Sequence, residues 1–258
     1  MLSKTYDLRL VIDVYSISKL FKTMWDLNKS QAKELTTKYL MKYLEDKQFV
    51  LKKTKSANIQ FVRQTKTGFD ALYLSFLDTF PGQKIDYLLV KRVDEVEKIV
   101  DEILAVIEPN RIIDKKATTF ATNYGMINNL RNNTYMPEMI NELDVENSCN
   151  QLQLFLKNTG FDYLEKIEKI TEFDNEINGN IFWTTDWGKP FDLRNHFDIK
   201  RIVIAYLAKN PKFNEVVDKT YEIMSQNSDG TFYNYEKNDL TLRIPYTLHY
   251  LKNCFLIS

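Results

Sequence analysis

Glycine and proline are scarce in this chain, seven and six of 258 residues. So few turn-formers leave little room for long flexible loops. Cysteine is scarcer still. Cys149 and Cys254 are too isolated for a disulfide framework or a CxxC metal site, and they read as small buried apolar residues of a reducing compartment. Two histidines, His196 and His249, are too few for most metal sites. An excess of one charge sign is also missing. The 35 Lys plus Arg balance 35 Asp plus Glu, which argues against the strongly basic surface that drives broad nucleic-acid binding. No uninterrupted apolar run approaches the roughly 20 residues that cross a bilayer. Lys4, Asp7, Arg9, Asp13 and Lys19 break up the N-terminal segment where a secretory signal would need its apolar stretch. The expectation is a cytoplasmic protein with no membrane partner.

What is present is a chain 44% hydrophobic and 13% aromatic, enough apolar mass for a substantial core, which excludes intrinsic disorder. Ala32, Leu35, Tyr39, Leu40, Tyr43 and Leu44 recur at helical spacing and predict a helix capped by Ser30 and ending near Lys47. Phe49 to Lys53 and the alternating run Ala57 to Gln64 predict two strands. Thr67-Gly68 is a turn, after which Leu72, Leu74 and Phe76 share one face of a third strand. Pro81-Gly82 turns the chain into a fourth, Lys84 to Arg92. Asp94 and Glu97 suggest a capping box for the helix whose stripe is Val96, Ile99, Val100, Ile103, Leu104 and Ile107. Thr118 to Tyr124 adds a further short strand.

Met126 to Asn141 is rich in Asn and weak in periodicity, which suits a connection between residues 1–125 and a mainly helical part, 142–258. In that part Val145, Cys149, Leu152 and Leu156 predict a helix that Gly160 can terminate. Further stripes follow from Phe161, Ile199 and Phe213. Phe232 to Tyr235 suggests a strand, and Pro245 is placed to open a last helix. The expected class is therefore α+β, an antiparallel sheet of about four to five strands covered by helices and followed by a mainly helical C-terminal part.

Catalytic motifs are missing. There is no G-x-S-x-G elbow, Walker loop, dinucleotide glycine fingerprint, HExxH or EF-hand loop. A nuclease core with an Asp on one strand and E-x-K on the next fails at Leu89-Val90-Lys91, where no Glu precedes the lysine. Cys149 falls on an apolar stripe, where a thiol is inert. No cofactor, metal ligand or catalytic residue is expected, although His196 beside Asp192 and Asp198 could form a carboxylate-oriented base.

Two features point instead to association. Charge is unevenly distributed: residues 36–66 carry eight basic side chains, Lys52, Lys53 and Lys55 among them, against two acidic, hence +6. Residues 138–176 carry ten acidic against three basic, hence −7. Such halves could dock on each other, bind partners of opposite charge or serve only as solvated faces. The second feature is residues 180–196, where Trp183, Asp186, Trp187, Asp192, Arg194 and His196 crowd around Gly188-Lys189-Pro190. Aromatic and Arg side chains anchor interfaces, yet the same indoles could plug a seam between the two parts.

Phe49-Val50-Leu51-Lys52-Lys53, Ile59-Gln60-Phe61-Val62-Arg63 and Leu72 to Phe76 together resemble a group of uncharacterised bacterial proteins. In these a helix precedes a "GF-x-K-K … F-x-R" strand pair. Phe155 to Leu164 and Ile202 to Leu207 are similar to that group's helical C-terminal part. Gln48 stands where the group commonly has Gly. Some of its members sit among toxin-immunity genes, so the resemblance implies a binding role, and it supplies no catalytic residue. The expected function is thus a non-enzymatic protein that binds another protein, of immunity or anti-toxin type. The alternatives are a hydrolase-type site around Asp186, Asp192 and His196, or nucleic-acid binding through residues 36–66.

Overall fold

Asn28 opens helix α1 (Lys29–Glu45) through a capping box. Its Oδ1 accepts from the Gln31 N–H at 3.0 Å, and Gln31 Oε1 accepts from the Asn28 N–H at 2.9 Å. Ser30, the cap expected from sequence, lies inside the helix because Asn28 and Gln31 already supply both halves of the box. Ala32, Thr36, Leu40 and Leu44 are buried at four-residue spacing. Gln48 then takes φ +65°, the left-handed turn that lets the Phe49 N–H donate to Leu44 O at 2.9 Å. The Gly of the resemblance would occupy this conformation without strain.

The computed structural model describes residues 27–52, 58–79, 82–112, 114, 116–128, 137–179, 196–226 and 237–255. After α1 the chain forms a five-stranded antiparallel meander in sequence order: β1 (Val50–Lys52), β2 (Ile59–Gln64), β3 (Gly68–Asp78), β4 (Gln83–Val93) and β5 (Phe120–Thr122). The β2–β3 turn needs Gly68, whose φ is +154° and whose Cβ, if it had one, would lie 2.2 Å from Arg92 O. Cross-strand register aligns Ile59 with Leu74 and Tyr87, and Phe61 with Leu72 and Leu89. These side chains form the helix-covered face of the sheet. On the opposite face Val62, Ala71, Val90 and Ala121 align in one row.

Helix α2 (Asp94–Ile107) buries Val96, Ile99, Val100, Ile103 and Leu104, as its stripe predicts. Its N-cap is Val93, and no side chain caps it. β4 runs straight into the helix, so the Asp94 N–H is taken by Thr67 O at 2.7 Å while Asp94 Oδ1 accepts from Arg92 Nε at 2.6 Å. The short helix α3 (Tyr124–Ile127) follows β5.

Asn141 and Asp144 form the capping box of α4 (Glu142–Phe155). Gly160 does not terminate it. The chain instead continues as a π-helical turn, Leu156–Gly160, into α5 (Phe161–Lys166), with the Phe161 N–H reaching back to Leu156 O. The missing Cβ of Gly160 serves close approach: a methyl there would come 2.9 Å from Leu89 Cδ1 on the sheet. Helices α6 (Ile170–Asn178), α7 (Phe197–Leu207), α8 (Phe213–Gln226) and α9 (Lys237–Phe255) complete the described chain. Pro245 lies within α9, where it costs one backbone donor without ending the helix.

The architecture is α+β with a helical C-terminal part. One contiguous core joins Leu40 and Phe61 of the first part to Leu152, Phe173 and Ile202 of the second. Among the described residues no helix is long and apolar enough to cross a membrane. The strand expected at Phe232 to Tyr235 lies outside the described residues.

Candidate functional site

Three charged side chains in the first half of α7 are each buried against a different neighbour. Asp198 accepts from Arg243 of α9, Nε to Oδ2 at 2.9 Å and Nη2 to Oδ1 at 3.2 Å. Lys200 meets Glu97 of α2 at 3.0 Å and donates to Thr118 O at 2.7 Å. Arg201 donates to Asn178 Oδ1 at 2.7 Å, and Asn178 in turn donates to Asp174 of α6 at 2.7 Å. Burial pushes the Lys200 ammonium down from its usual pKa and brings Arg201 to about 10, while it raises Asp174. Interspersed Ile199, Ile202, Val203 and Ile204 are all fully buried. Paired charges between apolar neighbours fix the rotation of a helix that is otherwise apolar all round.

His196 caps α7 with a left-handed φ of +58°. Its Nδ1 lies 2.8 Å from Arg243 Nη2. A guanidinium has no acceptor, so the imidazole accepts there and carries its proton on Nε2. Burial first, and then Arg243, Arg111 and Lys200, bring the ring to about 3. A ring so weakly basic stays neutral at physiological pH. Glu108 also receives Arg243, through Nη1 at 2.5 Å.

A second buried charge group crosses the sheet. Asp70 on β3 accepts from Lys91 Nζ on β4 and from Arg63 Nη2 on β2, each at 2.8 Å. Lys91 and Asp70 are 0% and 1% exposed, and the Arg63 guanidinium covers the Phe49 ring at 5.0 Å. Leu89, two residues before Lys91, is buried and apolar. This group therefore lacks the second carboxylate that a hard cation would require. Among the described residues no group of three or more His, Cys, Asp or Glu is placed to hold a metal ion. Cys149 is buried, and burial brings its thiol up to about 12.

The open surface lies along α4. Leu143, Asn147, Asn150 and Leu154 follow helical spacing on its outer face. Leu143 is 63% exposed and Leu154 58%. A cleft of about 300 Å³ runs beside them, lined by Tyr87, Tyr124, Gln151, Leu154, Phe155 and Asn158. The Phe155 ring meets Tyr87 and Tyr124, both at 5.6 Å between centroids, and the Tyr87 hydroxyl accepts from the Tyr124 N–H at 3.2 Å. The π-helical turn brings Asn158 and Thr159 to the cleft. Toward the start of α4 a second open cleft, about 360 Å³, shares Gln151 and adds Glu138, Asp144, Asn147 and Asn150.

Of the residues singled out from sequence, Trp183, Asp186, Trp187, Asp192, Arg194, Lys53 and Lys55 lie outside the described residues. His196 belongs to the ion network at the head of α7, and Lys52 is exposed on the edge strand β1. The two charge-biased stretches meet where α1 packs on α4: Lys38 Nζ is 3.7 Å from Glu142, whose Oε1 also accepts from Tyr39 at 2.9 Å. Glu138, Glu146, Asp162 and Glu165 have no ion-pair partner among the described residues. The α4 cleft escaped sequence reading because its lining comes from β4, α3 and α4. Leu143, Asn147, Asn150 and Leu154, at helical spacing opposite the apolar stripe of Val145, Cys149 and Leu152, were the available signal.

Comparison with known proteins finds no matching family model, no matching curated protein and no matching solved structure.

Proposed function

We propose that this chain acts by binding another protein, and that the partner docks along the outer face of α4. The observation that carries this reading is the alignment of exposed Leu143 and Leu154 on one helical face beside an aromatic-floored cleft. Among the described residues the exposed large apolar side chains elsewhere, Val50, Leu77, Val106, Ile112, Tyr221 and Leu242, each fall on a different segment of the chain. Two exposed leucines with Asn147 and Asn150 between them give the mixed apolar and amide composition of a transient docking surface.

The enzyme alternative draws little support from its one described residue. His196 is a neutral ring tied to Arg243, with Asp198 and Glu108 already engaged by the same guanidinium. A base that takes up a proton only below about pH 3 is poorly matched to proton abstraction at neutral pH. Nucleic-acid binding through residues 36–66 is disfavoured because Arg63 is committed to Asp70 and Lys38 lies against Glu142. The narrower role, an immunity or anti-toxin-like factor, rests on the sequence resemblance alone.

Affinity capture of the tagged full chain from cells of its source, followed by mass spectrometry, tests the class. A stoichiometric protein partner recovered in repeated captures is the expected result. Recovery of nucleic acid in its place, or of no partner at any ionic strength, would contradict the proposal.

A further inference from the structure

The two clefts along α4 share Gln151 and differ in chemistry from end to end. At one end Tyr87, Tyr124 and Phe155 form an aromatic floor next to exposed Leu154. At the other stands Glu138, beside Asp144, whose Oδ2 accepts from the Ile140 and Asn141 N–H groups in the cap of α4. Asn147, Asn150, Gln151 and Asn158 lie between and beside them, and none of these four amides is hydrogen-bonded among the described residues. Each end and the middle select different chemistry in whatever occupies the groove.

A side-chain amide offers both a donor and an acceptor. A row of them suits a chain whose own N–H and C=O groups are unsatisfied. A helical partner has already used those groups internally, whereas an extended segment presents one of each per residue. The aromatic floor suits an apolar anchor, since aromatic rings bury large area in a fixed geometry. The acidic end repels phosphate and attracts a cation. That complementarity disfavours nucleic acid and selects Lys or Arg. Exposed Lys157, near the aromatic end, reinforces the direction in which a cationic segment would lie.

Resting on the docking proposal above, we infer that the α4 groove takes an extended, cationic segment of the partner polypeptide. An aromatic or branched aliphatic side chain sits over Phe155, and a Lys or Arg reaches the Glu138 end. The spacing follows from helix geometry. Asp144, which lines the cleft at the Glu138 end, and Phe155 are eleven residues apart, about 16 Å at the α-helical rise, which an extended chain spans in roughly five residues. The recognised pattern is an apolar anchor with a basic residue four to five positions away.

Selection of phage-displayed random dodecapeptides on the full-length protein tests this, with Leu154→Lys and Glu138→Lys variants as parallel targets. Both changes fall at the groove's open surface, and equal melting temperatures would verify that the variants fold. Peptides enriched on the unmodified protein should carry the anchor and basic residue at that spacing. By fluorescence polarisation, resynthesised peptides should bind at least fivefold more weakly to either variant. Enrichment of acidic or uncharged sequences, binding indifferent to Leu154→Lys, or no enrichment overturns the inference. If no peptide is enriched but an intact partner is lost with Leu154→Lys, the docking face stands and the extended segment does not. A partner captured equally by both proteins removes the docking face itself.

Discussion

Arg243 Nη2 donates to His196 Nδ1 at 2.8 Å, and this contact sets the tautomer of the histidine, while burial first and the guanidinium second keep the ring neutral. The same guanidinium holds Asp198 and Glu108, so one arginine of α9 organises the head of α7 and the end of α2. His196 is thereby an acceptor in a structural network.

That arrangement has a pH signature. The folded ring titrates near 3, while an unfolded histidine titrates near 6.5. Between those values the unfolded chain binds a proton that the folded chain does not, so acidification favours unfolding. Lowering the pH from 7 to 5 should cost about 2 kcal/mol through this residue. Urea midpoints of the native chain and a His196→Asn variant at both pH values would check it. The variant should lose less stability than the native protein over that interval, and equal losses would show that His196 is free to protonate.

Removing one partner of the buried pair is costly because it strands the other. Arg243→Met should destabilise the fold by about 3–5 kcal/mol, since Asp198 is left without its counter-charge. Asp198→Leu combined with Arg243→Met should cost less than the sum of the single changes. Chemical denaturation of the three variants measures the coupling, and simple additivity would mean that the pair does not act as a unit.

The left-handed Gln48 is a place where the protein is less stable than it could be. Gln48→Gly relieves the crowding of Cβ at φ +65° and should raise stability by about 0.5–1 kcal/mol, net of the backbone entropy of glycine. A lowered melting temperature would show that the Gln48 side chain has a role of its own.

Leu74 sits in the centre of the sheet, fully buried between Ile59 and Tyr87. Leu74→Ala should cost about 2–5 kcal/mol by denaturant unfolding. A cost below about 1 kcal/mol would mean that the cavity closes without resistance.

The strands were legible in sequence because Leu72, Leu74 and Phe76 alternate, and α2 because Val96 to Leu104 keep strict helical spacing. Local geometry was harder to read. Gly160 carries the signature of a helix end, yet its missing side chain is used for contact with Leu89, a relationship between residues 71 positions apart. Asp94 has the composition of a cap, but β4 delivers the helix with the Asp94 N–H already bonded to Thr67 O. His196 was singled out with Asp198 as its neighbour. The residue that decides its chemistry, Arg243, lies 47 positions away on a helix that spacing alone could not dock there. The α4 cleft likewise forms only when Tyr87, Tyr124 and Phe155 converge.

Docking along α4 is tested most directly by comparing partner recovery by the native chain and by a Leu143→Lys/Leu154→Lys variant. Both leucines are more than half exposed, so the variant should keep its fold and melt within about 0.5 kcal/mol of the native protein. The expected result is at least a tenfold drop in the protein partner captured per mole of bait. A folded variant that retains its partner in full would contradict the claim that this face is the binding surface.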